Sequence, residues 1–232
     1  MASDIFVIVT AYNEAARIGA TLDALGRAFP NALVFLADDG SIDATSLLAR
    51  EGGARVVRSE RMIGKGDAAT PAAYEALRHA RAVAGEKDPE SIFLLCDADL
   101  GESAVELGKL VGAVRQGDAD MAVAAFATRV GGGVGVAVAF ARWAIRRRCG
   151  LAMRAPISGQ RALRASVLAD VLPFAAGFGM EIGMTIDASR AGHRISEIEL
   201  DLSHRATGRT FAGFAHRGRQ LIDFVRVYFA RR

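Results

Sequence analysis

An α/β fold with a mostly parallel sheet and helices on both faces is predicted by three features of the chain. In the first half, short apolar runs alternate with longer segments of helical spacing. The runs are apolar throughout rather than at every second residue, which marks strands covered on both faces. Four of the five runs end in polar residues of a restricted kind. In a parallel sheet these ends share one edge, where ligands bind in open α/β folds.

In order along the chain, strands are expected over 5–10, 33–37, 55–58, 92–96 and 121–126. Helical spacing, with polar cap candidates at several starts, occupies 14–29, 43–51, 67–84 and 103–116 between them. Strand–helix alternation of this kind closes into right-handed crossovers. The second half is less regular, with helices expected at 142–151, 166–172 and 181–191 and an alternating strand at 195–202. A basic helix is expected at 211–231. There is no internal repeat, low-complexity segment or obvious linker, so the 232 residues are expected to form one domain.

A composition of 51% hydrophobic and 24% charged residues supports a sizeable core and argues against disorder. The formal charge is +3, and only Lys65, Lys87 and Lys109 among 29 basic residues are lysine. Basic residues thicken after Arg142, which suits an anionic partner: a nucleotide, a phosphorylated substrate or an acidic membrane surface. Nucleic acid is not expected. Cys96 and Cys149 lack ligand-like spacing and make no disulfide framework, consistent with a reducing cytoplasm. The N-terminus has no basic region before its apolar run, and the apolar stretch 130–141 is too short to span a bilayer.

The polar strand ends carry the chemistry. Strand 1 ends in Thr10-Ala11-Tyr12-Asn13-Glu14, strand 2 in Asp38-Asp39-Gly40-Ser41 and strand 4 in Asp97-Ala98-Asp99, while Gly64-Lys65-Gly66-Asp67 follows strand 3. Asp97 and Asp99, two apart in an extended segment, can reach one hard cation of the Mg2+ or Mn2+ type. Lys65 between two glycines offers a point charge where backbone can approach a phosphate. Asp38 and Asp39 can accept hydrogen bonds from a base or ribose, and Tyr12 can cover a flat ring. Each motif alone reads as a turn or a cap; their joint order along one sheet edge points to a nucleotide-diphosphate site with a metal. The first strand lacks the GxGxxG of a dehydrogenase, no GxxxxGK[ST] of a P-loop is present, and an aspartyl phosphatase would carry its DxD after the first strand.

AYNEAARI, ADDGSIDAT, GKGDAA and CDADL, in this order, resemble the family 2 glycosyltransferases with the GT-A fold. The resemblance covers the first ~130 residues and implies metal-assisted sugar transfer from a nucleotide-diphosphate donor, a UDP-sugar ahead of a GDP-sugar, with residues 131–232 forming the acceptor half. It implies that Ala11, Tyr12, Glu14 and Asp39 contact the nucleoside, that Lys65 serves the diphosphate, and that Asp97 and Asp99 surround the metal. GFGMEIG and the following HR are similar to glucosyl-3-phosphoglycerate synthases, which nominates His204 as a metal ligand. SGQR and HRATGRT are similar to dolichyl-phosphate mannose synthases, which nominates Arg161 and Arg205 for phosphate. Gly101 stands where the mannose synthases carry a glutamine ligand, and His204 is the expected substitute. The chain also lacks the long C-terminal region of the phosphoglycerate enzymes.

Glu181, at the start of a helix after a glycine-rich turn, is the candidate base for a hydroxyl acceptor, or a positioning group for an already ionised phosphate. Asp99, Glu181, Lys65 and Arg161 make up the expected catalytic set. A phosphate-bearing acceptor is expected, with polyprenyl phosphate first and a small phosphorylated acid such as phosphoglycerate as the alternative. Trp143 among Arg142, Arg146, Arg147 and Arg148, together with the basic tail, also allows peripheral contact with an anionic bilayer. Nucleotidyl transfer and a non-catalytic nucleotide sensor remain as other classes.

Overall fold

The computed structural model describes residues 4–84, 91–126, 135–202 and 222–231. The chain runs β1 (Ile5–Ala11), α1 (Ile18–Ala28), β2 (Leu33–Asp38), α2 (Thr45–Glu51), β3 (Arg55–Arg58), α3 (Lys65–Ala84), β4 (Ile92–Asp97), a 3₁₀ segment (Gly101–Leu107), α4 (Gly108–Arg115) and β5 (Met121–Phe126). It continues through α5 (Val136–Cys149), β6 (Arg161–Arg164), α6 (Ala165–Val171), a 3₁₀ turn (Gly177–Gly179), α7 (Met180–Arg190) and β7 (Ile195–Leu200). A last helix, α8, covers 222–230.

These strands form a seven-stranded sheet in the order β3-β2-β1-β4-β6-β5-β7. Pairing is parallel except at β6, which runs antiparallel to both β4 and β5. The uninterrupted apolar strands follow from the two-sided cover. Phe6 and Ile8 of β1 enter one core with Phe93 and Leu95, while Val7 and Val9 enter the other with Leu94 and Cys96. One face is covered by α1 and α4, the other by α3, α6, α7 and α8. In α1 the buried Ile18, Thr21, Leu22 and Leu25 recur at helical spacing, which fixes the face it turns to the sheet. In α3 the buried stripe is alanine, Ala69, Ala72, Ala73, Ala76 and Ala80, and such small side chains let a helix lie close against a sheet.

The expected elements are present with shifted ends, and β6 was not among them. Its four residues carry arginine at both ends, so they show neither an apolar run nor a clean alternation. The expected helix over 103–116 is a 3₁₀ segment followed by α4, and α5 begins at Val136, earlier than the expected 142. Of the basic tail, only 222–231 lies within the described residues.

Candidate active site

β4 lies beside β1, so Thr10 pairs in register with Asp97. The Thr10 hydroxyl donates to Asp97 Oδ1 at 2.9 Å, and the Lys65 ammonium, on the first residue of α3, donates to the same oxygen at 2.7 Å. Gln160 Nε2 donates to Asp97 Oδ2 at 2.8 Å, and the Ser158 hydroxyl donates to Gln160 Oε1 at 3.1 Å. Burial alone would raise the Asp97 carboxyl, but Lys65 beside it, helped by Thr10 and Gln160, holds it below the usual carboxylate range.

Lys65 also meets Glu181 in the first turn of α7, at 2.9 Å from Oε1. Glu181 is nearly fully buried. Burial works against the lysine charge, yet Asp97 and Glu181 together hold its pKa above the ordinary value. One ammonium thus joins the end of β4 to a helix that starts more than eighty residues later. Gly159 passes directly over this pair: a Cβ there would lie 2.5 Å from Lys65 Nζ and 2.9 Å from Asp97 Oδ2. Only glycine leaves that space open.

The 177–181 turn is held from two sides. Gly177 N donates to Asp67 Oδ2 at 3.0 Å, and Phe178 N donates to Asp223 Oδ2 on α8 at 3.1 Å.

Arg161 calls for a correction. Expected to handle phosphate, it is fully buried in β6. Its Nε donates to Ser158 O at 2.9 Å, Nη1 to Thr185 Oγ1 at 2.9 Å and Nη2 to Pro156 O at 3.3 Å. Burial lowers its pKa to about 10, with Glu181 and Glu197 opposing the shift. Its guanidinium is therefore turned to the protein, where it staples the 156–160 loop that delivers Gln160 to Asp97.

The end of β2 separates two adjacent carboxylates. Asp38 is fully buried and accepts from Ser41 N at 2.8 Å and from the Ser46 hydroxyl, with Arg58 Nε at 3.7 Å. These contacts close the 38–46 loop from beneath, so the expected contact of Asp38 with a base or ribose finds no open oxygen; this too is a correction. Asp39 lies beyond the strand, where Oδ1 accepts from Ile63 N at 2.6 Å and Oδ2 from Gly64 N at 3.0 Å. Burial raises its pKa; the two amides lower it but do not cancel the shift. Asp39 N donates to Ala11 O at 2.9 Å, which ties this end to β1. Tyr12 next to it is 42% exposed, an open ring at the crevice edge. The Glu14 carboxylate pairs with Arg17 at 3.3 Å, and its amide donates to Thr45 Oγ1 at 2.8 Å.

Asp99 sits partly buried on the turn after β4. That turn is fixed by Thr21 of α1, whose hydroxyl donates to Ala98 O and accepts from Gly101 N, both at 2.8 Å. Gly101 adopts a left-handed φ of +53°, so its part is to bend the chain. Among the described residues no three His, Cys, Asp or Glu side chains gather as a metal cage. Mg2+ and Mn2+ commonly take one or two carboxylates and complete their shell with substrate phosphate and water. Asp99 can supply such a carboxylate, while both oxygens of Asp97 already accept from Thr10, Lys65 and Gln160. His204 and Arg205 lie outside the described residues.

Thr10, Thr21, Ser158, Gly159 and Gln160 were not picked out one by one from the sequence. Thr10 and Thr21 carried a signal, each a polar residue within an apolar pattern. For Gln160 the signal lay in its neighbourhood, since it stands inside the SGQR motif already singled out.

The family model described as Glycosyl transferase family 2 matches residues 6–169. No curated protein matches the chain. Among solved structures, glucosyl-3-phosphoglycerate synthase from Mycobacterium tuberculosis in complex with phosphoglyceric acid superposes with a TM-score of 0.74 at 25% identity, over 98% of this chain and 79% of that one. Its complex with Mn2+, uridine diphosphate and glucosyl-3-phosphoglycerate gives the same four values. Its complex with Mg2+ and uridine diphosphate gives a TM-score of 0.72 at 26% identity, over 98% and 78% of the two chains.

Proposed function

Because the chain belongs to glycosyl transferase family 2, we propose that it moves a sugar from a uridine-diphosphate donor to a phosphate-bearing acceptor with the help of Mg2+ or Mn2+. The observation that carries the reading is the Lys65 ammonium bridging Asp97 and Glu181 at the shared edge of β1 and β4. The two carboxylates fix the ammonium in place at this edge, and their excess negative charge suits a site that a divalent cation enters with the diphosphate. A divalent ion held by Asp99 and His204, with the Asp97 charge beside it, would add Lewis-acid stabilisation of the departing diphosphate. Asp39 and Tyr12 hold the nucleoside at the end of β2, with Ala11 and Glu14 shaping that wall. Glu181 orients Lys65, and Arg205 assists Lys65 in binding phosphate.

For the acceptor, a small phosphorylated acid is preferred. The synthase in the solved structures is bound to phosphoglyceric acid, and its likeness spans nearly all of this chain. Polyprenyl phosphate is the second reading; the basic, aromatic outer face of α5 and α8 favours it, since a lipid acceptor requires contact with a membrane.

Thermal shift with uridine and guanosine diphosphates, with and without Mn2+, tests the donor site. Metal-dependent stabilisation by uridine diphosphate is expected, and none from either nucleotide would overturn the proposal. Release of uridine diphosphate from UDP-sugars in the presence of phosphoglycerate or of a short polyprenyl phosphate then decides the acceptor. Release of pyrophosphate from a nucleoside triphosphate would instead favour nucleotidyl transfer.

A further inference from the structure

We propose that the outer face formed by α5 and α8 docks the protein on an anionic bilayer. α5 carries four arginines and no acid within Val136–Cys149. Its Trp143 is 50% exposed, and on α8 Phe229 is 53% exposed. The two are joined through Tyr228, with ring centroids 4.8 Å from Trp143 and 5.3 Å from Phe229. Arg148 reaches inward over the Tyr228 ring, 3.8 Å from its centroid, and locks the two helices together. The exposed rings therefore form one surface.

Basic side chains border it. Arg142, Arg146 and Arg147 are exposed on α5, and Arg226 is exposed on α8. Among the described residues no carboxylate forms an ion pair with Arg146 or Arg147. The one acid of α8, Asp223, is turned to the Phe178 amide, with Arg226 3.5 Å from its other oxygen. Nearby acids are also engaged: Glu199 pairs with Arg154 at 3.5 Å, and Asp187 with Arg231 at 2.6 Å.

Single exposed apolar residues are ordinary on protein surfaces, but connected rings bordered by one sign of charge mark an interaction face. A half-exposed tryptophan backed by the partly buried Tyr228 suits the headgroup zone, and arginine pairs with lipid phosphate. A second copy of the same face is disfavoured, because it would set arginines against arginines as water is excluded. A negatively charged leaflet supplies the opposite charge and an apolar layer for the rings together. Among the described residues no helix is long and apolar enough to cross a membrane, and the contact inferred is peripheral. Its exposed rings and the arginines of α5 are not among the side chains of the Lys65 cluster, and the contact stands whichever acceptor is used.

Trp143 is the only tryptophan of the chain, so its emission reports directly on this face. With vesicles of phosphatidylcholine and phosphatidylglycerol the full-length protein should float, and its emission should shift to the blue. Vesicles of phosphatidylcholine alone should do neither. Raising salt should release the protein, and Arg146→Glu with Arg147→Glu should weaken binding at least tenfold while leaving sugar transfer to a soluble acceptor unchanged. Protein that stays unbound with anionic vesicles, or floats equally with neutral ones, overturns the proposal. So does a blue shift that follows protein concentration without vesicles, which would mean a second copy covers the face. Should the double variant fail to fold, the salt titration of the unaltered protein decides.

Discussion

At the end of β2, Asp39 is met by two backbone amides and, among the described residues, by no cation. At the end of β4, Asp97 is met by an ammonium, a hydroxyl and a side-chain amide. Both are aspartates at strand ends of one sheet, yet burial raises the first while Lys65 holds the second down. A desolvated carboxylate held by amides is suited to take a further N–H or O–H, as a base or ribose presents. A carboxylate fixed to a cation is suited to place charge. The nucleoside and diphosphate ends of a donor therefore meet different electrostatics along one edge, set by what lies behind each strand end.

The largest break should come from removing the shared cation. Lys65→Met leaves Asp97 and Glu181 facing each other without compensation, and removing one partner of such a group costs about 3 kcal/mol. Urea unfolding would measure that loss, and turnover should fall on the order of a hundredfold. Adding Glu181→Gln should restore part of the stability and none of the turnover. Purely additive stability effects would mean that the three groups do not act together.

Arg161→Lys probes the same cluster from below. A lysine cannot reach Ser158 O, Pro156 O and Thr185 Oγ1 at once, and leaving buried acceptors unpaired should cost about 2 kcal/mol. The acceptor KM should stay within about twofold, a difference of under ~0.5 kcal/mol. A large rise in KM at unchanged stability would return Arg161 to the phosphate.

Gln160→Glu sharpens the contrast by turning the β4 end into a carboxylate pair. The new side chain can bond Asp97 Oδ2 only when protonated, so two carboxylates would share a proton there. Turnover at pH 8 should fall about tenfold, equivalent to ~1.4 kcal/mol, and recover as the pH is lowered toward 6. Gln160→Ala should lose activity with no such recovery. A pH profile for Gln160→Glu parallel to the unaltered enzyme would remove the positioning role from Gln160.

Much of this arrangement was legible in the sequence, for a physical reason. Strands covered on both faces read as apolar runs, so β1, β2, β4 and β5 and the polar residues beyond them were visible. Only the family resemblance singled out Asp39; the local pattern did not separate it from Asp38, because the period-two alternation that sends Asp38 inward and frees Asp39 operates at the last residue of the strand. β6 was hidden by its own arginines. A buried arginine is satisfied by loop carbonyls that no local pattern encodes, so Arg161 looked like a surface group. Lys65 and Glu181 were each singled out, but their meeting depends on how α7 packs beside α3.

The smallest effect belongs to Asp39→Asn, and its sign is the informative part. A carboxyl raised in the folded state binds more protons there than in the unfolded chain. Its contribution to stability is complete below the ordinary aspartate pKa and is lost as the pH rises through the raised folded value. Asparagine stays neutral and lacks that dependence. The variant should therefore gain relative stability between pH 4 and pH 8, by about 0.5 kcal/mol at most for a change of this kind. Its carbonyl can still accept the Ile63 and Gly64 amides, so the loop should hold. Uridine diphosphate affinity should nonetheless fall about tenfold, ~1.4 kcal/mol, because an amide is a weaker acceptor toward the base than a carboxylate. Stability by thermal melting and affinity by calorimetry would then move in opposite directions at pH 8. If they fall together, Asp39 serves the loop as Asp38 does, and the two strand ends are less different than their surroundings suggest.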